Sequence, residues 1–179
     1  LLDSGYLLVL ASSKTKAEIK SFCDELGRTV PFIYENGAGV ENFSLLSGSG
    51  EAPNTHQNSK AIRTDALLTI WEKNIPLDLK SQCHFVKDMD RVAQQACLGI
   101  ETTALDRAMK RSFSFPFTFS GPPSDLQKLS HLVAKAGLSV QQGGRVYNLS
   151  GYHDKADYLP DIRKWASKAK NTPVLIVLG

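Results

Sequence analysis

The sequence predicts an α/β protein in which a parallel-sheet core is interrupted by a mixed α+β insertion. Three observations carry that class. Leu7–Ala11 and Val174–Leu178 are continuous apolar runs, the pattern of strands covered on both faces. Between Leu7 and Tyr34 the order strand, polar turn, amphipathic helix, strand closes a βαβ-like unit. From about Phe43 to Gly151 the pattern changes to short helices and strands. The predicted division is therefore 1–42 with 151–179 for the core and 43–150 for the insertion.

Each element has its own local signal. Thr15-Lys16-Ala17-Glu18 is a capping box, so a helix is expected from Thr15 to near Gly27. Ala17, Phe22 and Leu26 are assigned to its inner face. Val30–Tyr34 reads as the second strand, and Glu35-Asn36-Gly37 as a turn with glycine supplying positive φ. Ser47–Ser59, rich in Gly, Ser, Asn and Pro, reads as a loop. Helices are expected at Ile62–Trp71, Met89–Cys97 and Thr103–Lys110, the last two separated at Gly99. Phe113–Phe119 alternates aromatic with small or polar residues and reads as a strand, which Pro116 assigns to an edge or bulge. Pro122-Pro123 leads into a helix ending near Ala136 with Leu126, Leu129, Leu132 and Val133 on one side. Leu138–Gln141 and Val146–Leu149 flank Gly143-Gly144, which predicts a hairpin with a type I′ turn. Lys155–Lys168 reads as helical, with Pro160 near its start.

Composition narrows the function classes. The chain has 179 residues, 42% hydrophobic and 22% charged, as in ordinary globular proteins. A net charge of +3 without a long Lys/Arg run speaks against nucleic acid as a partner and leaves a small anionic ligand open. Cys23, Cys83 and Cys97 are odd in number and have no CxxC spacing, which predicts neither a disulfide framework nor a zinc site and points to the cytoplasm. No apolar run approaches the ~20 residues of a membrane span, so no membrane partner is expected.

In open α/β sheets, small anions bind where strand C-termini meet helix N-termini. Ser12, Ser13 and Lys14 stand at such a place. The capping box assigns the cap to Thr15, leaving Ser12 and Ser13 either to satisfy local backbone groups or to contact a phosphate. Lys155 opens a helix, where a cation opposes the dipole unless an anion lies between them; a solvated lysine is the plainer reading. His153 and Asp154 are a possible acid–base pair or simple helix-entry polarity. Arg111 has the planar fork that suits a carboxylate, or is a surface arginine. Gly143-Gly144-Arg145 is a turn followed by a charged residue.

The run LLVLASSKTKAEIKSF…PFIYENGA resembles the second-motif region of the mannosyl-3-phosphoglycerate phosphatases, capped members of the haloacid-dehalogenase superfamily. Leu98-Gly99-Ile100, Arg111–Phe117, Gly143-Gly144-Arg145 and His153-Asp154-Lys155 follow in the family's order. The resemblance implies a Rossmann-like core, here incomplete, with an inserted cap. It maps Ser12 onto the hydroxyl that bonds the transferring phosphoryl group and Lys155 onto the lysine that neutralises nucleophile and phosphate. Ser13, Lys14, Glu35 and Asn36 would face substrate, and Arg111, Gly143, Gly144 and Arg145 would contact its non-transferred part. Ala156 and Asp157 depart from the family's usual Gly and Lys.

The implied reaction is Mg2+-dependent hydrolysis of mannosyl-3-phosphoglycerate, or a related sugar phosphate, through an aspartyl-phosphate. The family's nucleophile motif would precede Leu1, and its metal-binding acidic motif would follow Gly179. The polypeptide as written is therefore expected to be inactive alone, and to lack a central strand between the Leu7 and Val174 runs. The alternative is a non-catalytic anion-binding or interaction module derived from such a phosphatase.

Overall fold

The structure is a computed structural model; it describes residues 7–47 and 52–167, and the backbone of 175–178. In chain order the first elements are β1 (Leu7–Ala11), α1 (Lys16–Glu25), β2 (Phe32–Tyr34), β3 (Gly39–Glu41) and β4 (His56–Gln57). Then come α2 (Thr64–Asn74), α3 (Leu77–Lys80), β5 (Cys83–Phe85), α4 (Arg91–Leu98), α5 (Thr102–Ala108) and β6 (Ser114–Phe119). The last are α6 (Pro123–Lys135), β7 (Ser139–Gln142), β8 (Tyr147–Ser150), α7 (Leu159–Ala166) and β9 (Leu175–Leu178). Short 3-10 turns lie at Phe43–Leu46, Val86–Asp88 and Lys155–Tyr158. The contacts divide the chain into two units, Leu1–Ala61 with His153–Gly179, and Ile62–Tyr152.

The first unit is built on a five-stranded sheet of order β4-β3-β2-β1-β9. β1 runs parallel to β2 and to β9, with Leu7 opposite Leu175 and Leu10 opposite Leu178. This corrects the expectation of a strand missing between the Leu7 and Val174 runs: β9 hydrogen-bonds β1 directly. Val174 itself lies outside the described residues. β3 and β4 add antiparallel strands at the other side of β2. They also move the predicted boundary. Residues 43–47 and 52–61 belong to the first unit, because Phe43 and Leu46 are buried with Val40, Ile33, Tyr158 and Ile162. The chain thus leaves this unit after Ala61, not at Asn42, and returns at His153.

The capping box forms as read. Thr15 Oγ1 accepts from the Glu18 amide at 3.1 Å and the Glu18 carboxylate accepts from the Thr15 amide at 2.8 Å. Its inner face differs from the sequence reading. Ile19 and Cys23 are buried against Val30 and Phe32, while Phe22 and Leu26 are 48% and 47% exposed. Phe22 and Leu26 lie one row further round the helix, beyond the stripe the sheet covers.

The second unit is an antiparallel sheet of order β5-β6-β8-β7 with its own core. Trp71 and Leu67 of α2 and Leu129 and Val133 of α6 bury against Phe115, Phe117 and Leu149. Pro116 sits in β6, which has neighbours on both sides, and not on an edge strand. Pairing with β5 ends at Phe85 opposite Phe117, so on that side the ladder has already stopped when Pro116 is reached. A residue without an amide is tolerated there. β7 and β8 form the predicted hairpin, but its loop is four residues, 143–146, closed by the Gly143 amide donating to the Val146 carbonyl at 2.8 Å. Neither Gly143 nor Gly144 takes a positive φ, so the turn is not type I′.

Candidate functional site

Three segments of the first unit meet where β1 ends. The first is the loop Ser12–Lys14. The Ser12 amide continues the β1–β2 ladder by donating to the Ile33 carbonyl at 3.1 Å. The second is the turn after β2. Its Glu35 amide donates to the Lys14 carbonyl at 2.8 Å and its Asn36 amide to the Ser12 carbonyl at 3.0 Å. Backbone bonds therefore stitch loop and turn together. Glu35, Asn36 and Gly37 all hold positive φ, at 43°, 57° and 101°, so glycine is not the only left-handed residue of this turn. The third segment is His153–Lys155. Gly37 packs so closely against it that a Cβ there would lie 2.3 Å from the Asp154 carbonyl carbon and oxygen and 2.6 Å from the Lys155 nitrogen. Only glycine permits that approach.

The side chains divide into committed and available groups. Ser12 Oγ accepts from the Lys14 amide at 3.3 Å, which leaves its hydroxyl proton to donate elsewhere. Lys155 is half-buried and makes no ion pair among the described residues. Lys14 is different: its ammonium lies 3.2 Å from the Glu18 carboxylate, an i,i+4 pair that competes with any anion. Ser13 is exposed, Asn36 half-buried, and Glu35 only 2% exposed.

His153 and Asp154 do not pair with one another. His153 is 1% exposed and its Nε2–H donates to the Glu35 carbonyl at 3.0 Å. Nδ1 is buried with no hydrogen-bond partner among the described residues. Burial pushes the imidazole pKa below its ordinary value, against the Glu35 carbonyl bond and the charges of Glu35, Asp157 and Asp154. A neutral imidazole with one donor thus pins the Glu35 turn to the strand exit before Lys155. The Asp154 carboxylate instead caps the following turn by accepting from the Ala156 amide at 2.8 Å.

Sequence reasoning missed three residues behind this cradle. Asn58, Lys60 and Asp157 bond one another across about a hundred residues of chain. Asn58 and Lys60 fall in or beside the stretch read as loop, and no periodicity marks them. Their one local signal is the aspartate standing where the resembling family has a basic residue.

Arg111 and the Gly143-Gly144-Arg145 loop lie in the second unit and do not converge. Arg111 Nη1 donates to Ser114 Oγ at 3.0 Å, at the start of β6. Ser114 is opposite Ser150, whereas the 143–146 loop leads into Tyr147 opposite Phe117, at the other end of the pairing. Arg145 lays its guanidinium over Gly99, the left-handed cap of α4; a Cβ there would lie 2.6 Å from Cζ.

Among the described residues, no group of three or more His, Cys, Asp or Glu side chains is placed to hold a metal ion. No helix among them is long and apolar enough to cross a membrane.

No protein-family model matches the chain. It is 25% identical over 182 residues to a glucosyl-3-phosphoglycerate/mannosyl-3-phosphoglycerate phosphatase of Methanococcoides burtonii, covering 96% of this chain and 65% of that protein. A protein of the same name from Persephonella marina is 26% identical over 180 residues, with 98% of this chain and 66% of that protein covered. The chain thus spans just under two thirds of the curated relatives it matches. Among solved structures it is similar to a haloacid dehalogenase-like hydrolase from B. subtilis, with TM-score 0.57, 14% identity, and 91% of this chain and 68% of that one covered. One from Bacteroides thetaiotaomicron matches with TM-score 0.55 and 15% identity over 96% of this chain and 67% of that one. By its coordinates the chain has the fold of the haloacid dehalogenase-like hydrolases, and its sequence is similar to two proteins named glucosyl-3-phosphoglycerate/mannosyl-3-phosphoglycerate phosphatase.

Proposed function

We infer that this chain supplies the phosphate cradle of a phosphoric monoester hydrolase acting on mannosyl-3-phosphoglycerate, glucosyl-3-phosphoglycerate or a closely related sugar phosphate. The observation that carries it is the meeting of Ser12, with an available hydroxyl proton, and the loop of Lys155 around one turn, Glu35–Gly37. Phosphoryl transfer needs positioning and charge neutralisation more than covalent work from the protein. Ser12 donates a hydrogen bond to a phosphoryl oxygen, and Lys155 offsets charge as it builds on the equatorial oxygens. Asn36 and Ser13 border the cradle, and Lys14 joins it only by giving up Glu18, an exposed pair of little energy. Arg111 and the Gly143-Gly144-Arg145 loop, at opposite ends of the β6–β8 pairing, are not brought together as one carboxylate site and are left out of this cradle.

Mg2+ enters through the family resemblance alone. Among the described residues no group of three or more His, Cys, Asp or Glu side chains is placed to hold the ion. The cytoplasm is the compartment this reading assigns, in keeping with three free thiols at Cys23, Cys83 and Cys97.

The test is phosphate release from both glycosides by the full-length gene product with Mg2+. Ser12→Ala and Lys155→Met should each lower kcat/KM by roughly 100-fold, the scale of removing one preorganised transition-state donor. A folded wild type that releases no phosphate, yet shows phosphate-dependent amide shifts at Ser12 and Lys155, would replace this reading with the anion-binding module.

A further inference from the structure

Asp157 receives more bonds than a capping residue needs. Its Oδ2 accepts from the Asp154 amide at 2.9 Å, which closes a capping box around the Lys155 turn. The same oxygen accepts from Asn58 Nδ2 at 2.9 Å, and Oδ1 receives the Lys60 ammonium at 2.7 Å. Asn58 is itself held by further bonds. Its Oδ1 accepts from the Lys60 amide at 2.9 Å and its own amide donates to the Ala38 carbonyl at 2.9 Å, beside the Glu35–Gly37 turn. Asn58 is 7% exposed. Burial by itself raises the Asp157 pKa, but the bonds from Lys60, Asp154 and Asn58 and the Lys60 charge outweigh it and bring it down to about 2. The carboxylate is ionised whenever the protein is folded near neutral pH.

The position of this cluster gives it meaning. Asn58 and Lys60 are among the last residues before the chain leaves the first unit after Ala61, and Asp157 follows its return at His153. Lys155 opens the 3-10 turn Lys155–Tyr158, which is tied to distant chain by the bonds of Asp157 at its middle and by the Tyr158 hydroxyl donating to the His56 carbonyl at 3.4 Å at its end. A single 3-10 turn has poor internal hydrogen bonding and needs support from outside.

We propose that Asn58 and Lys60 are positioning residues that act through Asp157 to hold the turn carrying Lys155. The proposal rests on the phosphate-cradle reading for what Lys155 does once held. It also makes the exit and re-entry of the insertion one clamped structure within the first unit.

The test uses the full-length gene product with Lys60→Met, Lys60→Arg and Asn58→Asp, and Lys20→Met as a control that removes an exposed ion pair of α1. Amide exchange is followed at Asp154, Ala156 and Asp157, and affinity is measured for inorganic phosphate. Lys60→Met should speed exchange of the Asp154 amide and weaken phosphate binding, each roughly fivefold, the size of a partly exposed charge pair. Lys60→Arg should restore both to within about twofold because it keeps the charge. Asn58→Asp removes the donor and sets a second carboxylate beside Asp157, so its effect should exceed that of Lys60→Met. Unchanged exchange in Lys60→Met overturns the clamp. Faster exchange with unaltered phosphate affinity overturns the positioning role. If the wild type binds no inorganic phosphate while Lys60→Met still loosens the turn, the phosphate reading fails and the clamp itself stands.

Discussion

Gly37 shows how a single residue type can be dictated by contact and conformation together. Its φ of 101° disfavours any side chain, and the Asp154–Lys155 backbone occupies the space a Cβ would need. Backbone cannot move aside as a flexible side chain can. Gly37→Ala should therefore cost about 2–4 kcal/mol, from strain and overpacking together. The check is the urea midpoint at unchanged slope; a loss below about 0.5 kcal/mol would show that the two segments separate easily. The candidate site was partly legible at this scale. Ser12 and Lys155 stand out because each conflicts with its local structural role: Ser12 is not needed as a cap, and Lys155 opposes the turn it opens. Lys14 is less legible, because its ammonium also has a partner in Glu18 four residues later. Asn58 and Lys60 were illegible because their partner is distant in sequence.

Elements were read best where one local signal decides them. The Thr15 cap, the α6 start at Pro123 and the hairpin strands β7 and β8 follow from capping, proline and turn chemistry. β3 and β4 escaped, being two or three residues long and held mainly by pairing with β2 and each other. Pro116 escaped for a related reason: whether a strand is interior depends on where its neighbour stops. β6 is the element on which the second unit depends most. Phe117 at its centre is fully buried, with ring centroids 5.8 Å from Phe85, 5.6 Å from Tyr147 and 6.5 Å from Trp71. Phe117→Ala should destabilise this unit by about 3–5 kcal/mol. Thermal unfolding followed by near-ultraviolet dichroism checks it, and a loss under about 1 kcal/mol would mean the aromatic cluster closes over the gap.

At the scale of the whole chain, each unit has a separate apolar core drawn from its own residues. Their connectivity differs more than their composition. Strand pairs of the second unit lie between Cys83 and Ser150, whereas the β1–β9 pairing joins residues about 170 positions apart with the second unit's sequence between them. The chain has two tryptophans, and they fall one to each unit: Trp71 in the core of the second and Trp165 beside the apolar cluster of the first. That distribution turns the fold into a two-channel optical reporter. In Trp165→Phe, emission reports the second unit alone, and in Trp71→Phe the first. On dilution from denaturant, the Trp71 signal should reach its native value well before the Trp165 signal, since the first sheet must close a far longer loop. Identical single-exponential traces would mean that the two cores form in one cooperative step, and that neither half of this chain has a folding history of its own.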